Sequence, residues 1–268
     1  MCRLAAYLGE PLFLEDLIAT PRHSLMRQSL RAEEAKAVTN GDGFGIGWYG
    51  DRNEPGVYRE VMPAWSDDNL LALSHTLRSR LFFAHVRAAT AGGIARQNCH
   101  PFRHGDYLFM HNGQIGGYAQ VRRTLETLLP DTLYAARRGA TDSELLFLLA
   151  VARIERGESL PQAMLGVLED TMALMRERGV HLPLRFAATL ADGHRLHAFR
   201  IASDGKPPTL YLKRCAGGTI VASEPLCEDE PGWQLLPVGA VVTVEGGRCD
   251  VAVHESRLDA DADSHAFI

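Results

Sequence analysis

The sequence predicts an α+β fold whose strands pair mainly in antiparallel fashion. Strand-like segments come first, helical segments occupy the middle of the chain, and short strands separated by glycine turns return after Leu184. This segregation is typical of α+β proteins, in which consecutive strands usually pair antiparallel. The chain has no internal repeat and no low-complexity linker. We therefore expect a single domain over residues 1–268, with a solvated, mobile tail after about residue 255.

The first predicted strand covers residues 3–8, where an apolar run stops at Gly9-Glu10-Pro11. Residues 12–40 are mixed and polar, which predicts short helices and loops. In residues 41–49 glycine alternates with larger residues. This segment is either a strand with one bare face that another backbone can approach, or a turn that enters a hairpin with residues 57–59.

Ser66-Asp67-Asp68 predicts a helix N-terminus, and the helix is expected to run to about Arg78. Two apolar runs then predict buried strands over residues 81–86 and 107–110. Each is followed by glycine and polar residues, so the segments Arg87 to Gly93 and His111 to Gly113 are predicted to be loops.

Helices are predicted next where apolar residues recur every three or four positions. They cover residues 118–129, a segment that begins at Asp142, and residues 160–178. Asp192-Gly193 predicts a hairpin turn among the later strands. Those strands are expected over residues 186–190, 196–200, 209–213, 219–222 and 240–245.

Composition excludes several classes of function. Hydrophobic residues make up 46% of the chain and charged residues 23%, and the formal net charge is -5. That charge does not favour nucleic acid or anionic lipid as a partner. No apolar run could span a bilayer, and Glu15 and Asp16 interrupt the segment where a signal peptide would be apolar. We expect a cytoplasmic protein that binds a small molecule.

The cysteines and histidines indicate free thiols rather than a metal site. The five cysteines contain no C-x-x-C pair, which excludes a zinc knuckle or a dithiol redox motif: Cys2, Cys99, Cys215, Cys227 and Cys249. Free thiols fit a reducing compartment. The eleven histidines form no ligand pair at helical spacing beside acidic residues. No metal and no cofactor is predicted.

Cys2 follows Met1 directly, and a terminal methionine is readily removed when the next side chain is small. The mature chain would then begin with a cysteine that carries both a thiol and a free α-amine. An α-amine has a pKa of about 7.7–8.0, so near neutral pH it can accept the thiol proton. The simpler alternative is a small residue that opens a buried strand. If Met1 is retained, the amine is part of a peptide bond and this mechanism fails.

Three further groups could complete a catalytic site. Arg87 follows a buried strand and could hold a carboxylate through its planar guanidinium. Asn112 and Gly113 could supply the two N–H donors of an oxyanion hole. Asp142 could bind an ammonium group. The alternatives are a structural ion pair, a plain turn and a helix cap, but together with Cys2 these groups suit hydrolysis of an amide on the side chain of a free amino acid.

With these residues the chain resembles class II glutamine amidotransferases, whose glutaminase domain is an N-terminal-nucleophile hydrolase. The resemblance covers about the first 150 residues. The motifs that carry it are Met1-Cys2, His85-x-Arg87-x-Ala89-Thr90-x-Gly92, Asn98-Cys99-His100-Pro101, His111-Asn112-Gly113 and Thr141-Asp142-Ser143-Glu144. It implies a four-layer αββα sandwich of two antiparallel sheets.

The resemblance also implies a role for each residue. Cys2 would be the nucleophile and its α-amine the general base, while Asn112 and Gly113 would form the oxyanion hole. Arg87, with Thr90, would bind the substrate α-carboxylate, and Asp142 its α-ammonium group. His85 and His100 match family positions without a direct role in this scheme.

Two later segments, Val221 to Pro225 and Glu230 to Trp233, resemble the stand-alone subgroup that includes the γ-glutamyl amidase of ergothioneine biosynthesis. The expected activity is cleavage of the γ-amide of glutamine or of a γ-glutamyl amide. Three alternatives stay open: a glutaminase subunit that delivers ammonia to a separate synthase chain, a catalytically silent binding module, and an N-terminal-cysteine acylase for non-glutamyl amides.

Overall fold

The computed structural model describes residues 2–34, 39–89, 93–227 and 230–254. The strands in these ranges are β1 (Arg3–Phe13), β2 (Phe44–Trp48), β3 (Gly56–Glu60), β4 (Arg78–Val86), β5 (Phe102–His104), β6 (Tyr107–Ile115), β7 (Leu184–Ala191), β8 (Arg195–Ala202), β9 (Tyr211–Cys215), β10 (Gly218–Ala222), β11 (Trp233–Leu235), β12 (Ala240–Glu245) and β13 (Arg248–Val253). The helices are α1 (Glu15–Ile18), α2 (Leu25–Leu30), α3 (Asp68–Thr76), α4 (Tyr118–Glu126), α5 (Asp131–Ala136), α6 (Asp142–Ile154) and α7 (Leu160–Glu177).

The described strands form two antiparallel sheets that stack face to face. The seven-stranded sheet has the order β11-β9-β10-β1-β4-β2-β3, and the six-stranded sheet has the order β13-β12-β8-β7-β6-β5. One hydrophobic cluster fills the space between the sheets, and two others lie between each sheet and its helices. Helices α1 to α3 cover the seven-stranded sheet, and α4 to α7 cover the six-stranded sheet. The predicted four-layer α+β sandwich is confirmed.

The alternation of side chains along each strand decides which residues face the space between the sheets. In β1, Leu4 belongs to the inter-sheet cluster, whereas Ala5 packs under the helices. Cys2 precedes β1 and has the same parity as Leu4. In β6, Met110 belongs to the inter-sheet cluster, and Asn112 has the parity of Met110. The strand pattern therefore directs Cys2 and Asn112 toward the same inter-sheet space.

Strand β1 is longer than predicted, because Gly9-Glu10-Pro11 does not end it. The strand continues to Phe13, with an irregularity in its pairing to β4 between Leu8 and Leu12. The Glu10 backbone N–H donates to the Gly217 carbonyl at 2.6 Å. A Cβ on Gly9 would overlap that carbonyl oxygen. The missing side chain thus lets a neighbouring turn approach and hold the strand through its irregular stretch.

The predicted loop His111 to Gly113 is a strand in the structure. Strand β6 runs on to Ile115, and its residues 108–115 pair in unbroken register with residues 184–191 of β7. The pairing with β7 overrides the turn preference of the Asn-Gly dipeptide.

The glycine-alternating segment combines both predicted alternatives. Phe44–Trp48 forms β2, and it pairs as a hairpin with β3. A Cβ on Gly45 would overlap the His100 carbonyl oxygen, and one on Gly47 would lie 2.7 Å from Pro101 Cγ. The bare face of β2 is therefore covered by the His100-Pro101 segment.

The main helices match their predictions closely. Asp67, rather than Ser66, caps α3, since its Oδ1 accepts a hydrogen bond from the Leu70 N–H at 2.7 Å. Helices α4, α6 and α7 begin at or beside the predicted positions. In the described part of the chain no helix combines the length and apolarity that crossing a membrane requires. The tail predicted after residue 255 lies outside the described residues.

Candidate active site

Cys2 lies directly before β1, at the edge of the inter-sheet space. Arg3 pairs with Val86 of β4, so the antiparallel register brings Cys2 alongside Arg87. The Cys2 thiol is partly buried and donates to the Ala88 carbonyl, with Sγ and O 3.6 Å apart. Burial raises the pKa of this thiol, and the positive charges of Arg87 and Arg3 oppose the rise. A thiol held neutral in this way needs a proton acceptor before it can attack.

Arg87 directly follows β4, at the strand end where the sequence predicted it. Its side chain is buried. Its Nη1 donates to the Gly93 carbonyl at 3.0 Å. Asp42 fixes the backbone that follows the Arg87 side chain: the Asp42 N–H donates to the Arg87 carbonyl at 3.0 Å, and Asp42 Oδ2 accepts from the Ala89 N–H at 2.8 Å. Sequence reasoning missed Asp42, although it lies between glycines in the segment predicted to permit close approach.

Asn112 and Gly113 lie side by side near the end of β6. Asn112 is only 1% exposed, and among the described residues its Nδ2 donates to no acceptor. A buried amide donor without a partner is costly unless a ligand or water uses it. Gly113 has φ +153°, and a Cβ there would overlap the Arg185 carbonyl oxygen. Only glycine fits at this position.

Asp142 is the first residue of α6 and is buried against the end of β6. Its Oδ2 accepts from the Ile115 N–H at 2.8 Å, and its Oδ1 accepts from the Ser143 N–H at 2.8 Å. The helix cap is Thr141, whose Oγ1 accepts from the Glu144 N–H at 3.2 Å. Oδ1 of Asp142 also accepts from the Ser143 hydroxyl at 3.4 Å. Because a carboxylate oxygen has two lone pairs, Oδ2 can still accept from an ammonium group.

A buried cluster of histidines adjoins this site. The rings of His85 and His100 lie 4.2 Å apart between centroids, and within the described ranges none of their four nitrogens has a hydrogen-bond partner. Burial lowers the pKa of His85 to about 3 and that of His100 well below its usual value. Burial also lowers the pKa of His111, whose Nδ1 lies 2.9 Å from Ser143 Oγ. Neutral imidazoles of such low basicity are poor candidates for the general base.

The structure therefore brings most of the predicted site residues toward one end of the sandwich. Cys2 and Arg87 adjoin through strand pairing, and Asp142 is bonded to Ile115, which lies two residues beyond Gly113 in β6. Thr90, the predicted helper of Arg87, lies outside the described residues. In the part of the chain that is described, no group of three or more His, Cys, Asp or Glu side chains could hold a metal ion.

Known proteins resemble this chain over most of its length. The family model for class II glutamine amidotransferases matches residues 19–216, which includes Arg87, Asn112 and Asp142 but begins after Cys2. The chain is 31% identical to gamma-glutamyl-hercynylcysteine sulfoxide hydrolase from Mycolicibacterium smegmatis, over 91% of this chain and 96% of that protein. It is 29% identical to the probable glutamine amidotransferase DUG3 from Saccharomyces cerevisiae, over 91% of this chain and 82% of that protein.

A solved structure gives the same result. The chain superposes on a glutamine aminotransferase class-II domain protein from Silicibacter pomeroyi with a TM-score of 0.74 and 35% identity. That likeness covers 95% of this chain and 99% of the other. With the family model matching most of its length, the chain belongs to the class II glutamine amidotransferases, a family of enzymes.

Proposed function

We propose that this protein is a stand-alone amidohydrolase that cleaves the γ-amide of glutamine or of a γ-glutamyl amide through a thioester on Cys2. The observation that carries the proposal is the buried Asn112 Nδ2, which has no acceptor among the described residues. Asn112 has the strand parity of Met110 and Cys2 that of Leu4, and both Met110 and Leu4 face the space between the sheets. An amide donor held ready in this way suits a negative charge that exists only during the reaction.

The first step is attack on the substrate. After removal of Met1, the Cys2 α-amine takes the thiol proton, and Sγ bonds to the γ-carbonyl carbon. The carbonyl oxygen becomes an oxyanion, which Asn112 Nδ2 and the Gly113 N–H stabilise. When the C–N bond breaks, the α-ammonium returns its proton to the leaving nitrogen, and a γ-glutamyl thioester remains on Cys2.

The second step is hydrolysis of this thioester. The free α-amine takes a proton from water, the hydroxide oxygen bonds to the carbonyl carbon, and the same two donors stabilise the second oxyanion. When the C–S bond breaks, glutamate is released and the Cys2 thiol recovers its proton. In this scheme Arg87 and Thr90 bind the α-carboxylate and Asp142 binds the α-ammonium group, so the enzyme reads the amino-acid end and leaves the amide substituent variable.

Glutamine and a substituted γ-glutamyl amide differ in the substituent on the amide nitrogen, so that substituent decides which of the two is the substrate. The relative from Mycolicibacterium smegmatis is named as a hydrolase of a γ-glutamyl compound, which supports a substituted γ-glutamyl amide for this chain. Delivery of ammonia to a separate synthase chain is the competing function. Strong stimulation of glutamine cleavage by a co-purified synthase would favour that competitor.

We further propose that residues 1–268 work as one domain in a reducing cytoplasm. Strands from both ends of the chain share a sheet, since β1 pairs with β10, which supports a single folding unit. The five cysteines are free in the structure, which fits a reducing compartment.

The test is covalent labelling with a γ-diazo-ketone analogue of glutamine, followed by intact mass and N-terminal peptide mapping. We expect one adduct, on Cys2, only on chains that lack Met1, and protection by excess glutamine or γ-glutamyl amide. Cys99→Ala is the matched control, because Cys99 is a buried thiol in the same region and its removal should leave the adduct intact.

The absence of an adduct on chains that begin at Cys2 would overturn the proposal and favour a silent binding module. Labelling or amide cleavage that is unaffected by Arg87→Ala would instead favour an acylase for non-glutamyl amides. Such an enzyme has no use for paired carboxylate and ammonium contacts.

A further inference from the structure

The two residues proposed to read the amino-acid end of the substrate belong to different halves of the sandwich. Arg87 follows β4 of the seven-stranded sheet, whereas Asp142 begins α6, which packs on the six-stranded sheet. A substrate held at both its α-carboxylate and its α-ammonium group needs these side chains at a fixed separation.

Asn98 bridges the two halves. It ends a short 3₁₀ helix, Arg96–Asn98, and is only 2% exposed. Its Nδ2 donates to the Gly93 carbonyl at 3.4 Å, and its Oδ1 accepts from the Ala140 N–H at 3.0 Å. The same Gly93 carbonyl accepts from Arg87 Nη1 at 3.0 Å. One amide group thus connects the partner of Arg87 to the backbone two residues before Asp142.

The Asp142 side of this bridge is itself held firmly. The buried carboxylate of Glu144 accepts from the Arg138 N–H at 2.9 Å and from the Gly139 N–H at 2.6 Å. A Cβ on Gly139 would overlap Asn98 Oδ1. The segment that leads into α6 is therefore fixed to the helix by Glu144 and to the rest of the site by Asn98.

We infer that Asn98 is a positioning residue that sets the separation of Arg87 and Asp142, and so the preference for substrates with a free α-amino-acid end. This inference rests on the proposed function. An amide is needed at this position because the bridge uses one donor and one acceptor on the same side chain. Aspartate keeps the acceptor and loses the donor, and leucine has neither.

Loss of the Asn98 bridge should weaken the binding of some substrates more than that of others. A substrate that contacts both Arg87 and Asp142 should bind more weakly when the distance between these side chains is no longer fixed. A substrate that contacts only Arg87 should lose much less affinity. Substitution of Asn98 by aspartate or leucine does not alter the Cys2 thiol, so the intrinsic reactivity of the nucleophile should persist.

The experiment compares γ-glutamyl-p-nitroanilide with glutaryl-p-nitroanilide, which lacks the α-amino group, on chains that begin at Cys2. We expect Asn98→Leu to lower the ratio of the two kcat/KM values at least tenfold, mainly through a higher KM for the γ-glutamyl substrate. Asn98→Asp, which is nearly isosteric, should lower the ratio to an intermediate degree. Gln97→Ala, an exposed neighbour on the same 3₁₀ helix, should leave it unchanged.

Alkylation of Cys2 by iodoacetamide distinguishes positioning from a general structural role. Its rate should stay within threefold of wild type in both Asn98 variants. An unchanged ratio in Asn98→Asp and Asn98→Leu, or an equal loss on both substrates together with slower alkylation, would overturn the inference while the proposed function stands. If the wild-type enzyme cleaves neither anilide and is not labelled by the diazo-ketone, the proposed function fails and this inference with it.

Discussion

Arg3 and Glu224 form an ion pair in which both side chains are almost completely buried, with Arg3 Nε 3.1 Å from Glu224 Oε1. The same carboxylate lies 2.7 Å from His23 Nε2 and accepts from the backbone N–H groups of Glu33 and Glu34 at 3.1 and 3.0 Å. Because Arg3 directly follows the proposed nucleophile, this pair fixes the chain at the point where Cys2 enters the site.

We predict that Glu224→Gln destabilises the fold by about 3–5 kcal/mol, because it leaves the Arg3 guanidinium buried without a counter-charge. Urea unfolding monitored by circular dichroism measures the change. Glu245→Gln is the control, since its partner Arg195 is exposed and an exposed pair contributes at most about 1 kcal/mol. Equal losses in the two variants would show that the buried charge of Arg3 is compensated in another way.

Stability should fall as the solution is acidified below pH 6.5. Burial lowers the pKa of His85 to about 3 in the folded state, whereas an unfolded histidine titrates near pH 6.5. Between these values the unfolded chain binds a proton that the folded chain does not, so acidification favours unfolding. Each such histidine contributes a slope of up to about 1.4 kcal/mol per pH unit, and burial shifts the pKa of His100 in the same direction.

The measurement is the free energy of unfolding in urea between pH 6.0 and 5.0. His85→Gln removes one titrating group, so we expect the slope in that variant to be shallower by about 1 kcal/mol per pH unit. A variant slope equal to that of wild type would mean that His85 is protonated in the folded protein.

The layered fold could be predicted from the sequence, and the proposed site residues could be selected from it, but the path of the chain through the site could not. Asn112-Gly113 was predicted as a loop because this dipeptide usually forms turns. It lies in β6 because β7 pairs along its whole length. The unpredicted strands β5, β11 and β13 are edge strands of their sheets, so a single neighbouring strand defines each of them.

The residues that support the site could not be predicted either, because their roles also depend on distant parts of the chain. Asp42, Asn98 and Glu224 act through partners that lie 47, 42 and about two hundred residues away in the chain. No local periodicity or spacing reports such contacts. Only the resemblance drew attention to Asn98, and it assigned no role to that residue.

We predict that Gly113→Ala lowers kcat at least about 100-fold, because a methyl group there would push β6 away from the Arg185 carbonyl and displace an oxyanion donor. Steady-state kinetics with γ-glutamyl-p-nitroanilide measures this. Gly105→Ala is the matched control: Gly105 also has a positive φ, +53°, but nothing lies within 4 Å of the position that a methyl group would take there. Gly105→Ala should lose some stability and keep its kcat. A similar loss of kcat in Gly105→Ala and Gly113→Ala would mean that backbone strain alone is responsible.

Asn112→Ala tests the oxyanion hole more directly. Since Asn112 Nδ2 donates to no acceptor among the described residues, truncation breaks no protein hydrogen bond at that atom. We expect kcat to fall by about 10²–10³ while KM for γ-glutamyl-p-nitroanilide stays within about threefold, because the donor acts on charge that develops after binding. The matched control is Thr171→Ala in α7, a buried polar side chain in the outer helical layer whose Oγ1 donates to the Val167 carbonyl at 2.7 Å.

The two variants should behave in opposite ways. Thr171→Ala loses a hydrogen bond that exists in the resting protein, so its cost should be in the free energy of unfolding, with kcat unchanged. Asn112→Ala loses a bond that forms only in the transition state, so its cost should be in kcat. If Asn112→Ala instead raised KM and left kcat intact, the amide would be binding the substrate in its ground state, and the oxyanion would have to be stabilised by other donors.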